Sequence, residues 1–205
     1  MASKTKSTFL TMTLTLFVIG VIASSALAMI YKITKEPIEK AKLEKTNKAI
    51  KQVLPEFEDL EKGLIASDGD SLSCYYAKKN GELIGVAIET YTDKGFSGKF
   101  TVMVGFLPDG TIYNTAILSH METPGLGDKM EKNKSLSFKK NKEGEVVDTL
   151  WWSKQFMNIN LETFNLKVKK DGGQVDAITA STISSRAYCD AIDRAYQSFL
   201  KYVKE

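Results

Sequence analysis

The run FLTMTLTLFVIGVIASSALAMI, Phe9 to Ile30, carries no charged side chain. It is long enough to cross a hydrocarbon core about 30 Å thick, which needs roughly 20 apolar residues. No other stretch restricts the fold as strongly, because it assigns the N-terminus to a membrane-spanning helix and leaves the remainder to make its own core. A cleaved signal peptide is the competing reading, since Lys4 and Lys6 form a basic start and Ala26–Leu27–Ala28 is an A-x-A site. Its apolar region would be about 7–15 residues, shorter than this run, so the segment reads as an anchor. Either way the remainder is expected on the far side of the membrane. The lysines argue the reverse, since Lys32, Lys35, Lys40, Lys42, Lys45 and Lys48 outnumber Lys4 and Lys6.

The remaining text is that of one globular domain. The chain of 205 residues has a formal charge of +3, with 43% hydrophobic and 26% charged residues. Its lysines and arginines are spread along the chain, without the one-faced cluster that phosphodiester backbones require, so no nucleic-acid partner is expected. Cys74 and Cys189 make neither a disulfide framework nor a CxxC site. His120 is the only histidine, which leaves no multi-histidine metal site and no Ser-His triad, and reads as a strand-end residue or a proton carrier. Neither GxGxxG nor GxxxxGK[ST] occurs.

Between Thr34 and Leu54 a second helix is predicted, starting at Thr34 or Lys35 before Pro37, with Ile38, Ala41, Leu43, Ile50 and Val53 as a thin apolar stripe. Glu56 to Ser71 is acidic and irregular and reads as a loop. Asn80-Gly81 and Asp109-Gly110 each separate β-rich runs, predicting two hairpins with strands at Ser73–Lys78, Glu82–Tyr91, Lys99–Phe106 and Thr111–His120. Gly95 and Gly98 bend the chain between them. HMETPGLGDKMEKNK then forbids a regular element through Pro124, Gly125 and Gly127, and reads as a surface or ligand loop. LWWSKQF suggests a short helix anchored by Trp151 and Trp152, and NLKVKKDGGQVDA one more strand before a Gly172-Gly173 turn. Tyr188, Ile192, Ala195, Tyr196, Phe199, Leu200 and Val203 recur at helical spacing, predicting a final amphipathic helix. The fold class is α+β: an antiparallel sheet with flanking helices, preceded by one transmembrane helix. Its divisions are a tail at 1–8, an anchor at 9–30, a linker helix at 31–55 and a domain at 56–205.

Four hydroxyl residues, Thr179, Ser181, Thr182 and Ser184, precede the final helix. One or two would suffice to cap it. A helix N-terminus also favours a phosphate, through its free N–H groups and the positive end of the macrodipole, so a hydroxyl there is placed either to bind a phosphate or to be bonded to one.

At DAITASTIS, Asp176 to Ser184, the chain resembles the FMN-binding domain of the G subunit of Rnf electron-transport complexes and of the C subunit of sodium-pumping NADH:quinone reductases. That family carries Asp, two residues, Ser or Thr, then Gly, Ala and Thr, the last joined to FMN by a phosphoester. The pattern falls on Asp176, Thr179, Ala180, Ser181 and Thr182, with Ala180 in place of the usual Gly and Ser181 in place of the usual Ala. ETPGLG, Glu122 to Gly127, resembles the family's flavin-facing loop, and GFSG, Gly95 to Gly98, another of its turns. The order of span, helix, sheet, loop and acceptor extends the resemblance over essentially the whole chain.

The resemblance implies a redox-carrier subunit, not a complete enzyme alone. FMN would be held covalently on Thr182, with Thr179, Ala180 and Ser181 around the attachment, Glu122, Thr123 and Leu126 at the ring, Gly125 as a further cofactor-binding residue of their loop, and Lys129 or Lys170 as charge partner. Electrons would pass within an ion-translocating ferredoxin:NAD+ oxidoreductase in the bacterial cell membrane, the domain being extracytoplasmic. The partners implied are other subunits of the complex, membrane lipid and a flavin transferase. The C subunit of a quinone reductase, a flavin-free anchored interaction module and a stand-alone flavin reductase are the alternative readings.

Overall fold

The structure, a computed structural model, describes residues 8–67, 69–140 and 146–204, with side chains described except at 138–140, 146–148, 203 and 204. The expected tail with Lys4 and Lys6, up to Ser7, and the side chain of Val203 lie outside the described residues. The chain divides into two compact units, one ending at Lys45 and one running from Thr46 to Glu205.

Helix α1 is continuous over Phe9–Val53 and contains Pro37. No second helix begins at Thr34 or Lys35. Thr34 does not cap forward; its Oγ1 donates back to the Ile30 carbonyl at 2.9 Å, a bond that belongs to a continuing helix. Pro37 deprives the ladder of one N–H, and helix-forming Lys and Glu on both sides carry it on. The apolar window of this helix has a mean hydropathy of 2.2, with 0% of it buried within the structure. Length and composition therefore suit a membrane span.

The strands of the second unit are β1 (Asp59–Ser67), β2 (Asp70–Lys79), β3 (Glu82–Thr92), β4 (Phe100–Phe106), β5 (Thr111–Ser119), β6 (Ser137–Lys140), β7 (Val146–Leu150) and β8 (Ile159–Asn160). Its foundation is a six-stranded antiparallel sheet ordered β1-β2-β3-β4-β5-β8. The four predicted strands are present, as β2 to β5, within a few residues. At the first hairpin both Asn80 and Gly81 take positive φ, 53° and 82°; at the second only Gly110 does, at 83°. There Asp109 instead accepts from the Thr111 N–H at 2.9 Å, closing the turn with its side chain.

Two expectations are corrected, and one feature is new. Glu56 to Ser71 is no loop, because β1 occupies most of it and pairs with β2 from Asp59↔Lys78 to Ser67↔Asp70. The acidic residues that hid it, Asp59 and Glu61, are exposed on an edge strand, where charge discourages pairing with another chain. NLKVKKDGGQVDA contributes no sheet strand. The chain folds back on itself, with Val168 bridging Val175 and Lys169–Asp171 forming a 3-10 turn that Gly172 ends at φ 79°. The ribbon of β6 and β7 follows the short helix α2 (Lys132–Ser135) and had no counterpart in the reading of the sequence.

Helix α3, Thr182–Lys204, covers one face of the sheet. Tyr188, Ile192, Ala195 and Phe199 pack there against Val86, Ile88, Val104 and Phe106. Each large apolar side chain so buried contributes about 1.5–3 kcal/mol. Tyr188 fixes the register, since its hydroxyl donates to Thr115 Oγ1 at 2.9 Å while its ring stacks on Phe156 at 5.1 Å. The opposite face is closed by Ala49, Ile50 and Val53 at the end of α1, against Ala77, Ala87 and Met103. The predicted helix near the tryptophans is a 3-10 turn, Trp152–Phe156, with Trp152 edge-on to Tyr188 at 5.0 Å.

Candidate functional site

A cavity of about 390 Å³ opens at the first turn of α3. Thr182, the first residue of that helix, is half-buried and lines it. Ala180 and Ser181 lie beside Thr182, Glu122, Thr123 and Leu126 come from the loop after β5, and Lys170 comes from the 3-10 turn. Seven of the ten residues expected from the sequence thus meet in one place. Gly125, Lys129 and Thr179 do not line the cavity. Gly125 and Thr179 are exposed, the former serving the loop turn at φ 77°, and Lys129 is half-buried.

The turn before Thr182 is set by backbone geometry. Ala180 is left-handed at φ 61°, a conformation that costs a residue with a Cβ roughly 1–2 kcal/mol. This gives a physical reason for the glycine usual at that place in the related pattern. The Ser181 N–H donates to the Ile178 carbonyl at 2.9 Å, closing the turn, and the Ser181 carbonyl accepts from the Ser185 N–H at 3.0 Å, opening the helix. Ser185, which the hydroxyl count did not include, ties the two together: it accepts from the Ile178 N–H and donates to the Ser181 carbonyl, both at 2.9 Å. Upstream, the Asp176 backbone is clamped by Gln155 at 2.7 Å and by the Trp152 indole N–H at 2.6 Å.

Glu122 is only 5% exposed. Its Oε2 accepts from the Ser184 hydroxyl at 2.7 Å and its Oε1 from the Ser97 N–H at 3.2 Å. One carboxylate thereby joins the GFSG turn, the ETPGLG loop and the first turn of α3. Gly127 makes room for this pin, because a Cβ there would stand 2.5 Å from Glu122 Oε2 and 2.8 Å from Ser184 Oγ. His120 holds the loop's entry: its Nδ1 accepts from the Glu122 N–H at 3.1 Å, and its Nε2 lies 3.3 Å from Glu131.

Phe96, Leu126 and Ile183 give the cavity an exposed apolar wall, whereas Lys170 and Arg186 give it positive charge. Phe96, Gly127, Ile183, Ser184 and Arg186 were missed as site residues. Arg186 carried a legible signal, as it stands four positions after Thr182 on the same helical face. Its Nε and Nη2 donate to Asp171 at 2.6 and 2.7 Å, and this hydrogen-bonded guanidinium holds the Asp171 carboxyl below its ordinary range. A wider cleft of about 640 Å³, reaching from Leu161 to Gln197, shares Arg186 but contains none of the expected residues. Cys189 lines that cleft, and burial pushes its thiol up to about 12, so it is no redox thiol at neutral pH. Among the described residues no group of three His, Cys, Asp or Glu is placed to hold a metal.

This combination suits a phosphorylated aromatic cofactor. The cavity falls in the roughly 300–1,000 Å³ range of small-molecule sites, with an apolar wall, two cations and the N-terminus of a long helix. Residues 95–197 match the FMN-binding domain family. The G subunit of the ion-translocating oxidoreductase complex of Vibrio atlanticus (strain LGP32) is 32% identical over 198 residues, covering 90% of this chain and 87% of the relative. The namesake protein of Shewanella amazonensis (strain ATCC BAA-1098 / SB2B) is 32% identical, covering 85% and 80%. That of Haemophilus influenzae (strain PittEE) is 32% identical, covering 82% and 79%. With a domain match over half its length and relatives of this similarity along nearly all of it, the chain belongs to the family of G subunits of ion-translocating oxidoreductase complexes and carries that family's FMN-binding domain.

Proposed function

We propose that this chain is the electron-transferring G subunit of a membrane-bound, ion-translocating ferredoxin:NAD+ oxidoreductase, with FMN held by a phosphoester on Thr182. The observation that carries the reading is the meeting of Thr182, Lys170, Glu122, Thr123 and Leu126 around one cavity at the start of α3. When bound, the flavin supplies one- and two-electron redox chemistry. The chain's own residues supply its setting. Thr182 provides the attachment oxygen, while the N-terminus of α3 and Lys170 stabilise the phosphate's negative charge. Leu126 and Thr123 offer an apolar and a hydroxyl contact to the ring, and Glu122 keeps their loop against the acceptor helix.

Attachment requires a transferase. Attachment would replace the Thr182 hydroxyl proton with an Oγ1–P bond to the flavin phosphate, the proton leaving with the donor's departing group. The chain gains FMN less one water. The α1 span anchors the protein in the cell membrane as a single pass, with the domain extracytoplasmic and the other subunits of the complex as redox partners. A tethered cofactor is not diluted away outside the cell, since the tether keeps its effective concentration high.

The test is intact-mass and peptide mass spectrometry of the full chain co-expressed with a flavin transferase, beside Thr182→Ala. We expect the FMN adduct on Thr182 and its absence from the variant. A chain that never acquires flavin would return the interaction-module reading, and an adduct that persists in the variant would move the site to Ser181 or Thr179.

A further inference from the structure

Arg186 has a geometry that an ordinary surface ion pair does not require. It lines the cavity with Thr182, lies one turn along α3 from it, and is held by Asp171 through Nε and Nη2. Helical side chains lean toward the helix N-terminus, so a residue covers the turn before its own Cα. For Arg186 that turn is the one bearing Thr182. The side-on pair with Asp171, through Nε and Nη2, leaves the Nη1 amino group outside the ion pair and removes the rotamer freedom that a long cation would otherwise lose on meeting an anion. Lys170 precedes Asp171 directly, lines the same cavity and makes no ion pair among the described residues. Lys169, on its other side, is committed to Asp176 at 2.7 Å.

We propose that Arg186 is a phosphate-binding residue of the cofactor site, presenting Nη1 to the phosphate at the start of α3 while Asp171 holds the other edge of its guanidinium. Lys170 supplies a point charge beside it, and the fork of Arg186 supplies direction. The inference rests on the reading that the flavin phosphate sits at Thr182, and its test does not need the covalent bond.

The experiment uses the full-length chain in detergent, made without a flavin transferase so that Thr182 is unmodified. Binding of FMN and of riboflavin, which lacks the phosphate, is followed by flavin fluorescence. We expect the wild-type chain to prefer FMN. Arg186→Gln reduces that preference about tenfold, the scale of one lost charge-assisted hydrogen bond, and leaves riboflavin affinity unchanged. Arg186→Lys keeps the charge without the fork and falls between the two. Arg186→Gln also strands the Asp171 carboxylate, so the double variant Asp171→Asn/Arg186→Gln is the control. If Arg186 binds the phosphate, the preference stays low in the double variant; recovery there would mean that Arg186 merely neutralises Asp171, and the proposal is overturned. Equal affinity of wild type for the two flavins, no measurable FMN binding, or parallel losses of FMN and riboflavin in Arg186→Gln overturn it as well. A missing adduct on Thr182 in transferase-treated chain would sink the acceptor reading alone, which keeps the two failures apart.

Discussion

At the scale of the residue, Ala180 is where this sequence and its own backbone disagree. Its φ of 61° costs an L-residue roughly 1–2 kcal/mol, while glycine would lose about 0.5–1 kcal/mol more backbone entropy on folding. Ala180→Gly is therefore expected to stabilise the domain by about 0.5–1 kcal/mol, with flavin attachment retained. Trp151 and Trp152 are the only tryptophans and both lie in the second unit, so their fluorescence during denaturation reports on it directly. An unchanged or lowered midpoint would refute the argument. The DAITASTIS and ETPGLG stretches, which the structure brings to one cavity, were legible in the text because the residues of each are consecutive. The contacts uniting them were not, since the Glu122–Ser184 bond spans 62 positions and no local pattern announces a buried carboxylate paired with a serine. Ser185 escaped for another reason: its task of joining the turn to the helix is done with backbone partners, which any sequence supplies.

At the scale of the element, periodicity served where one face was buried and failed where burial was divided or the chain closed on itself. Helix α3 was legible because its apolar face recurs with the period of the helix, whereas the strands from β2 to β5, several buried on both faces, were legible from the Asn80-Gly81 and Asp109-Gly110 turns between β-rich runs. Strand β1 was lost because Leu60 and Leu64 lie on its exposed face while Asp59 and Glu61 fall on the face that buries Ile65, reversing the expected alternation. The end of α1 was legible as apolar, but its seat was not. It comes so close to β4 that a Cβ on Gly105 would run into the Val53 carbonyl oxygen. We expect Gly105→Ala to destabilise the domain by about 3 kcal/mol, because backbone has to move to admit the methyl group. A denaturation midpoint close to wild type would show that the helix end does not press on that strand.

At the scale of the whole molecule, the lysine count and the family reading put the domain on opposite sides of the membrane. The native thiols make a direct answer accessible. Cys74 and Cys189 are both buried, and the Cys189 thiol, pushed up to about 12 by burial, supplies almost no thiolate at neutral pH. An impermeant maleimide should leave the wild-type chain unlabelled and react with Lys79→Cys, at an exposed hairpin end, in intact spheroplasts. Reaction only after lysis would place the domain in the cytoplasm. The cavity has a consequence of a different kind. Its walls come from two separate stretches: Phe96 to Gly127, which bring Phe96, Leu126 and the pinning carboxylate, and Lys170 to Arg186, which bring the cations, Ile183 and the Thr182 hydroxyl. The two stretches are not independent, because the buried Glu122–Ser184 bond ties one to the other, so a change at either end of that bond alters the wall on both sides of the cavity.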